Sequence, residues 1–158
     1  FRFPNGMTDL VAETAGFSTL PTWARRATVG GVTVDAAIHF AAWRARPIPW
    51  LAFANFAPTE GGGSHERGLE AALKRAVGEG FEDARRVALG AISVQVPTGD
   101  RLQFVGSTRE VLRVEGLDRQ LEESLAPDLE AHLHRFASHA PWRPGLNPTR
   151  EKVSVRKK

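Results

Sequence analysis

Gly30-Gly31 stands between Ala27-Thr28-Val29 and Val32-Thr33-Val34, and this is the arrangement that most narrows what the chain can fold into. Two glycines between short β-branched runs supply the left-handed backbone of a two-residue hairpin turn. The run after the turn alternates cleanly. Val32, Val34, Ala36, Ile38 and Phe40 fall on one face, while Thr33, Asp35 and His39 fall on the other. A strand with one oily face needs a layer to cover it, so the chain has to build an antiparallel sheet and place something against one side of it.

The covering layer is legible in two later stretches. Leu69, Ala72, Leu73, Ala76 and Val77 recur at helical spacing after the loop Pro58 to Gly63. Ser64 suits the N-cap of that helix, Glu66 suits its positive first turn, and Gly78 and Gly80 suit its end. Leu117, Leu121, Leu125, Leu129 and Leu133 recur every fourth residue and mark a second helix, which Pro127 is expected to kink or split. A short helix follows Asn5-Gly6 on Met7, Leu10, Val11 and Ala15. Residues 50 to 56 and Ala91 to Val96 read as strands, with a short continuation at Leu102 to Phe104. The expected fold is an α/β, two-layer α+β sandwich, with one mixed sheet and helices on one face. Residues 1–139 form the domain, and 140–158 form a basic, flexible tail rich in Pro, Gly, Asn and charge.

Charge and composition exclude several classes. Residues 150 to 158 hold net +4 of a chain whose total is +3, so the body is close to neutral and the high pI belongs to the tail. No Cys is present among the 158 residues, which excludes disulfides and thiolate metal sites. No apolar run approaches the roughly 20 residues needed to span a bilayer, and no membrane partner is expected. Phe1-Arg2-Phe3-Pro4 is not a secretory signal; it reads as a cut end, so the chain is expected to be part of a longer cytoplasmic protein.

Several residues invite chemistry. Gly61-Gly62-Gly63-Ser64 at a helix start could cradle phosphate through backbone N–H groups, or could be a structural loop and cap; the residues favour the second. His65 could be a ligand or a base, but no second ligand stands at metal spacing from it, so a structural hydrogen bond is expected. His132 and His134 lie two apart on a helix and face away from each other, which argues against zinc. No metal site is expected. Arg25, Arg26, Arg44 and Arg46 cluster where acids are few, and form either a DNA-facing patch or a solvated hairpin edge.

Two stretches together resemble a known family. Asn55, Gly62, Gly63, Ser64, His65 and Gly68 match its pattern Asn-x6-Gly-Gly-Thr-His-x-x-Gly-Phe, with Ser64 for Thr and Leu69 for Phe. Glu82, Asp83, Arg85, Ile92, Ser93, Val94, Val96 and Pro97 match a second signature, and Phe3, Gly6 and Met7 resemble its opening strand and turn. The chain thus resembles the transducer domain of the bacterial DNA gyrase B subunit and its topoisomerase IV counterpart. The resemblance implies a ribosomal-protein-like fold. It also implies a loop at Phe104-Val105-Gly106-Ser107-Thr108-Arg109, in the place of the family's Phe-x-Gly-Gln-Thr-Lys, that reaches the γ-phosphate of ATP held with Mg by a neighbouring ATPase domain. Ser107, Thr108 and Arg109 are the implied cofactor-contacting residues. No cofactor is expected on this chain alone, and no catalytic residue is expected within it. The implied partners are the ATPase domain, the A-type subunit and DNA, in an assembly that is dimeric when complete. The absence of Tyr means that the family's DNA-cleaving nucleophile is not on this chain. Two features depart from the pattern: the segment between Arg75 and Glu82 is short, and no long Ala/Arg-rich helix follows Phe136. They leave open a second reading, a transducer-like module repurposed to bind gyrase, DNA or another protein. A third, a small-molecule kinase of the same fold, lacks its longer Pro-x3-Gly-Leu-Gly-Ser-Ser motif.

Overall fold

The computed structural model describes residues 6–15, 20–41, 47–97, 103–105, 111–137 and 140. The glycine pair makes the turn it was expected to make. Gly30 and Gly31 have φ of 56° and 77° and join β1 (Trp23–Val29) to β2 (Val32–Phe40), with Val29 opposite Val32 and Trp23 opposite Ile38. β2 pairs antiparallel with β5 (Ala88–Gln95), Ala36 facing Ile92. β5 in turn pairs in parallel with β3 (Leu51–Ala54), which turns back into β4 (Ala57–Pro58). The sheet is mixed and five-stranded, in the order β1-β2-β5-β3-β4.

The alternation read from the sequence sets the two faces. Val32, Val34, Ala36, Ile38 and Phe40 are buried, and the register puts Ile92 and Val94 of β5 and Ala52 and Ala54 of β3 beside them. This face is covered by α2 (Ser64–Val77) and α4 (Leu117–Arg135) through Leu69, Leu73, Leu121, Leu125 and Leu129, all fully buried. Each such leucine contributes about 1.5–3 kcal/mol by leaving water. The two helices pack closely because Gly68 has no side chain: a Cβ there would lie 2.7 Å from Leu121 Cβ and 2.9 Å from the Asp118 carbonyl.

Helices on one face is therefore right for α2 and α4, and α1 (Met7–Ala15) adds a partial cover on the other. The Met7 N–H donates to Asp35 Oδ2 at 3.3 Å, and Asp35 belongs to the opposite alternation of β2. Five elements differ from expectation. Pro127 lies inside α4, which continues unsplit; burial of Leu125, Ala126 and Leu129 on both sides of the proline holds its two turns on the same layer. β5 begins at Ala88, because Ala88-Leu89-Gly90 still find partners in Phe40, His39 and Ile38. The strand expected over 50 to 56 ends at Ala54, where Asn55 (φ 46°) and Phe56 (φ 67°) turn the chain. A short helix, α3 (Phe81–Val87), was not anticipated, although it carries its own signal in Glu82 and Asp83 in the first turn, Arg85 and Arg86 in the last, and Ala84 and Val87 buried three apart. The expected strand near residue 103 exists, but it forms a separate ribbon, β6 (Gln103–Val105) with β7 (Val111–Arg113). Phe3, Leu102 and the tail from 141 onward lie outside the described residues.

Candidate functional site

The glycine-rich loop and the β6–β7 ribbon meet, although about fifty residues of chain separate them. The loop leaves the sheet at Thr59, whose N–H donates to the Ala52 carbonyl and whose carbonyl accepts from Gly62, both at 2.8 Å. Gly62 turns left-handed at φ 72°, and Gly63 follows at φ 146°. Both values favour glycine, but Gly63 has a second reason to be one. It forms a parallel bridge with Leu112, and a Cβ on it would lie 2.2, 2.7 and 2.9 Å from the Leu112 O, N and C atoms. The Leu112 N–H donates to the Gly62 carbonyl at 3.1 Å, and the Leu112 side chain is fully buried.

Ser64 is the first residue of α2 rather than its N-cap, a position that Gly63 takes with no side-chain bond. Its hydroxyl turns away from its own helix. It accepts the Val114 N–H at 3.0 Å and Arg67 Nη2 at 3.4 Å, and points its proton at the Leu112 carbonyl, 3.5 Å away. The expected cap is thus corrected: backbone at and just after β7 competes for the hydroxyl and wins, so the serine ties two segments together instead of ending one.

His65 is buried, with Nε2 3.2 Å from Thr59 Oγ1 and Nδ1 without a partner among the described residues. Burial, assisted by the nearby Arg67 charge, lowers its pKa to about 4, so the ring is neutral at pH 7. The structural hydrogen bond expected of His65 is present. Glu66 folds back over Gly62, and burial, followed by the charge of Glu70, raises its pKa. Among the described residues no three His, Asp or Glu side chains gather as a metal site. Gly62 spends its N–H on Thr59 and its carbonyl on Leu112, which leaves the loop poorly suited to cradling phosphate.

The ribbon's connecting segment, with Ser107, Thr108 and Arg109, lies outside the described residues, as do Arg44 and Arg46; the strands that enter and leave the segment are described. Arg25 and Arg26 are adjacent on β1 and therefore point to opposite faces. Arg25 Nη1 pairs with Asp128 Oδ1 of α4 at 2.9 Å, and the same carboxylate accepts the Trp23 Nε1 proton at 2.8 Å. Arg26, 68% exposed, lies 3.6 Å from Asp35 on the α1 side. These two arginines consequently do not make one patch together. Sequence reasoning missed the Asp128 clamp, because nothing in a helix pattern reveals what one carboxylate meets over a hundred residues away. It also missed a cleft of about 450 Å³ on the α1 face, where Met7, Leu10, Phe53 and Phe56 surround the Arg26–Asp35 pair.

Among solved structures, three share this fold. The B subunit of DNA gyrase from Myxococcus xanthus superimposes with a TM-score of 0.72 at 22% identity, over 92% of this chain and 49% of that one. The 43K ATPase domain of Thermus thermophilus gyrase B, in complex with an aminocoumarin, gives 0.71 at 18% identity, over 97% and 46%. The ATP-binding domain of Francisella tularensis topoisomerase IV, in complex with a small-molecule inhibitor, gives 0.67 at 17% identity, over 89% and 41%. The chain spans less than half the length of each. No family model and no curated protein matches it. The fold is therefore one found in B-type subunits of type II topoisomerases. No helix among the described residues is long and apolar enough to cross a membrane.

Proposed function

We propose that this chain is the transducer domain of a type II topoisomerase B-type subunit, or of a divergent relative. In this reading it couples ATP binding in a neighbouring domain to DNA strand passage in the cytoplasm. The observation that carries the reading is the junction of two sequence signatures. Gly62, Gly63 and Ser64, from the first, hold Leu112 and Val114 just beyond the segment that matches the family's nucleotide-sensing loop. A glycine-rich motif spent on securing the base of a hairpin makes sense where the hairpin must hold its tip against something outside the domain. The resemblance supplies that target, the γ-phosphate of ATP bound with Mg by the ATPase domain. Arg109 would bring a guanidinium to developing charge on the transferred phosphate, with Ser107 and Thr108 beside it. The A-type subunit and DNA complete the proposed assembly, which is dimeric. The fold shared with gyrase and topoisomerase IV B-type structures supports this reading, and the kinase alternative is disfavoured by the missing Pro-x3-Gly-Leu-Gly-Ser-Ser motif and by a Gly62 whose N–H and carbonyl are already spent. One observation favours the interaction-module alternative: Phe56 is 78% exposed in a left-handed backbone conformation, an unusual place for a bulky aromatic.

The test is ATP hydrolysis by a gyrase-type ATPase domain joined to this chain. Arg109→Ala is expected to lower the rate by roughly a hundredfold, the lower end for losing one preorganised charge-stabilising donor. Arg109→Lys should retain part of the activity, and Ser107→Gln should raise it. An Arg109→Ala rate equal to the parent's would transfer support to the interaction module.

A further inference from the structure

We propose that the cleft on the α1 face binds a small aromatic carboxylate, a role independent of nucleotide sensing. Its floor is the sheet face that α1 covers only in part. The register sets Arg26, Asp35, Ser93 and Phe53 side by side across β1, β2, β5 and β3, and puts Thr33 opposite Gln95 in the next outward-facing row. Met7 and Leu10 line the cleft from α1, and Phe53 and Phe56 line it from the β3–β4 hairpin. A cavity of about 450 Å³, walled by apolar groups with a few convergent polar ones, has the size and chemistry of a small-molecule site.

Phe56 is the residue the fold explains least. Asn55 and Phe56 are the two central residues of the β3–β4 turn, at φ 46° and 67°. Asparagine suits such a turn, and Asn55 Oδ1 also accepts the Val96 N–H at 2.9 Å. The second position ordinarily belongs to glycine. A phenylalanine there strains the backbone and leaves its ring 78% exposed. Neither turn geometry nor burial accounts for that ring, whereas a planar ligand in the cleft would stack against it.

Charge decides the class of ligand. The Arg26 side chain is 68% exposed and that of Asp35 is 23% exposed, so the cation is the more accessible partner. Asp35 already accepts the Met7 N–H at 3.3 Å, and Arg26 Nε stays 3.6 Å from the carboxylate, beyond hydrogen-bond length. The pair thus holds the guanidinium at the cleft while most of its N–H donors stay unspent among the described residues. A carboxylate can take two of those donors in parallel. Thr33, Ser93 and Gln95 add uncharged hydrogen-bonding groups, which orient a ligand without opposing its charge.

The probe is 1-naphthaleneacetate, compared with its uncharged counterpart 1-naphthaleneacetamide, each titrated into the isotope-labelled chain. The acid is expected to shift the amide resonances of Thr33, Asp35, Phe56 and Gln95 and to saturate at about millimolar concentration or below, as its size allows. The amide should bind at least about fivefold more weakly. Arg26→Gln should bring the two ligands to within about twofold of each other. Phe56→Gly should weaken the acid roughly fivefold through the lost ring contact, with a urea midpoint no lower than the parent's, because glycine relaxes the turn. No saturable shift at these residues overturns the site. Equal binding of acid and amide, a preference that survives Arg26→Gln, or unchanged affinity in Phe56→Gly overturns the proposal as well. None of these outcomes bears on the ATPase test above.

Discussion

Replacing Gly63 with alanine tests whether the glycine loop and the ribbon are joined as described. The new methyl would have to occupy space 2.2 Å from the Leu112 carbonyl oxygen and 2.7 Å from its nitrogen. Both are backbone atoms, so no side-chain rotation relieves the clash. The backbone angle adds to the cost: at φ 146° an L-residue is strained by about 1–3 kcal/mol. Forcing apart packed atoms costs another 1–3 kcal/mol or so. The chain would relax by releasing Leu112, at the cost of its bond to Gly62 and the Val114 bond to Ser64, about 1 kcal/mol each. Whichever route wins, the expected destabilisation is about 2–6 kcal/mol, with a central value of about 4 kcal/mol. Gly31→Ala is the control. Its φ of 77° is also left-handed, but nothing lies within 4 Å of the added Cβ, so its cost is the backbone term of about 1–2 kcal/mol. Urea denaturation of the two variants measures the difference, and amide exchange at Leu112 and Val114 locates it. Equal destabilisation by the two substitutions, or unchanged protection at Leu112 in Gly63→Ala, would refute the junction.

Two further outcomes follow from buried groups. His65 has its folded-state pKa depressed from 6.5 to about 4, so the unfolded chain binds the proton first as pH falls. The stability due to the neutral ring is complete above pH 6.5 and is lost progressively towards pH 4, amounting to about 3 kcal/mol. Glu66, with its pKa raised, works in the opposite direction, because acid relieves its burial. His65→Gln, which can still bond Thr59, should therefore be less acid-sensitive than the parent in denaturation measured from pH 7.5 to 4.5; identical pH profiles would rule this out. Asp128→Ala should cost about 2 kcal/mol in thermal or urea unfolding, because it strands the Trp23 indole N–H and a partly buried Arg25, while Asp128→Asn should recover part of that by still accepting from Trp23.

The fold was legible wherever one local period decided it. The Gly30-Gly31 turn, the face holding Val34, Ala36 and Ile38, and the leucine stripe of α4 each follow from spacing alone, because a strand or helix with one apolar side has one stable way to lie. Local rules failed where distant atoms competed. Pro127 carries a helix-breaking signal, but the packed leucines around it outweigh one missing hydrogen bond. Ser64 has the chemistry of a cap, yet the backbone of Val114 reaches its hydroxyl first. Arg25 and Arg26 read as a pair of basic residues, and only the alternation of β1, with Asp128 on one side and Asp35 on the other, separates them. By itself the sequence determined which residues had to be buried and which glycines had to turn. The tertiary structure alone decided that Gly63 must also be bare for the sake of Leu112, because steric exclusion between segments about fifty residues apart has no period and leaves no mark on either segment.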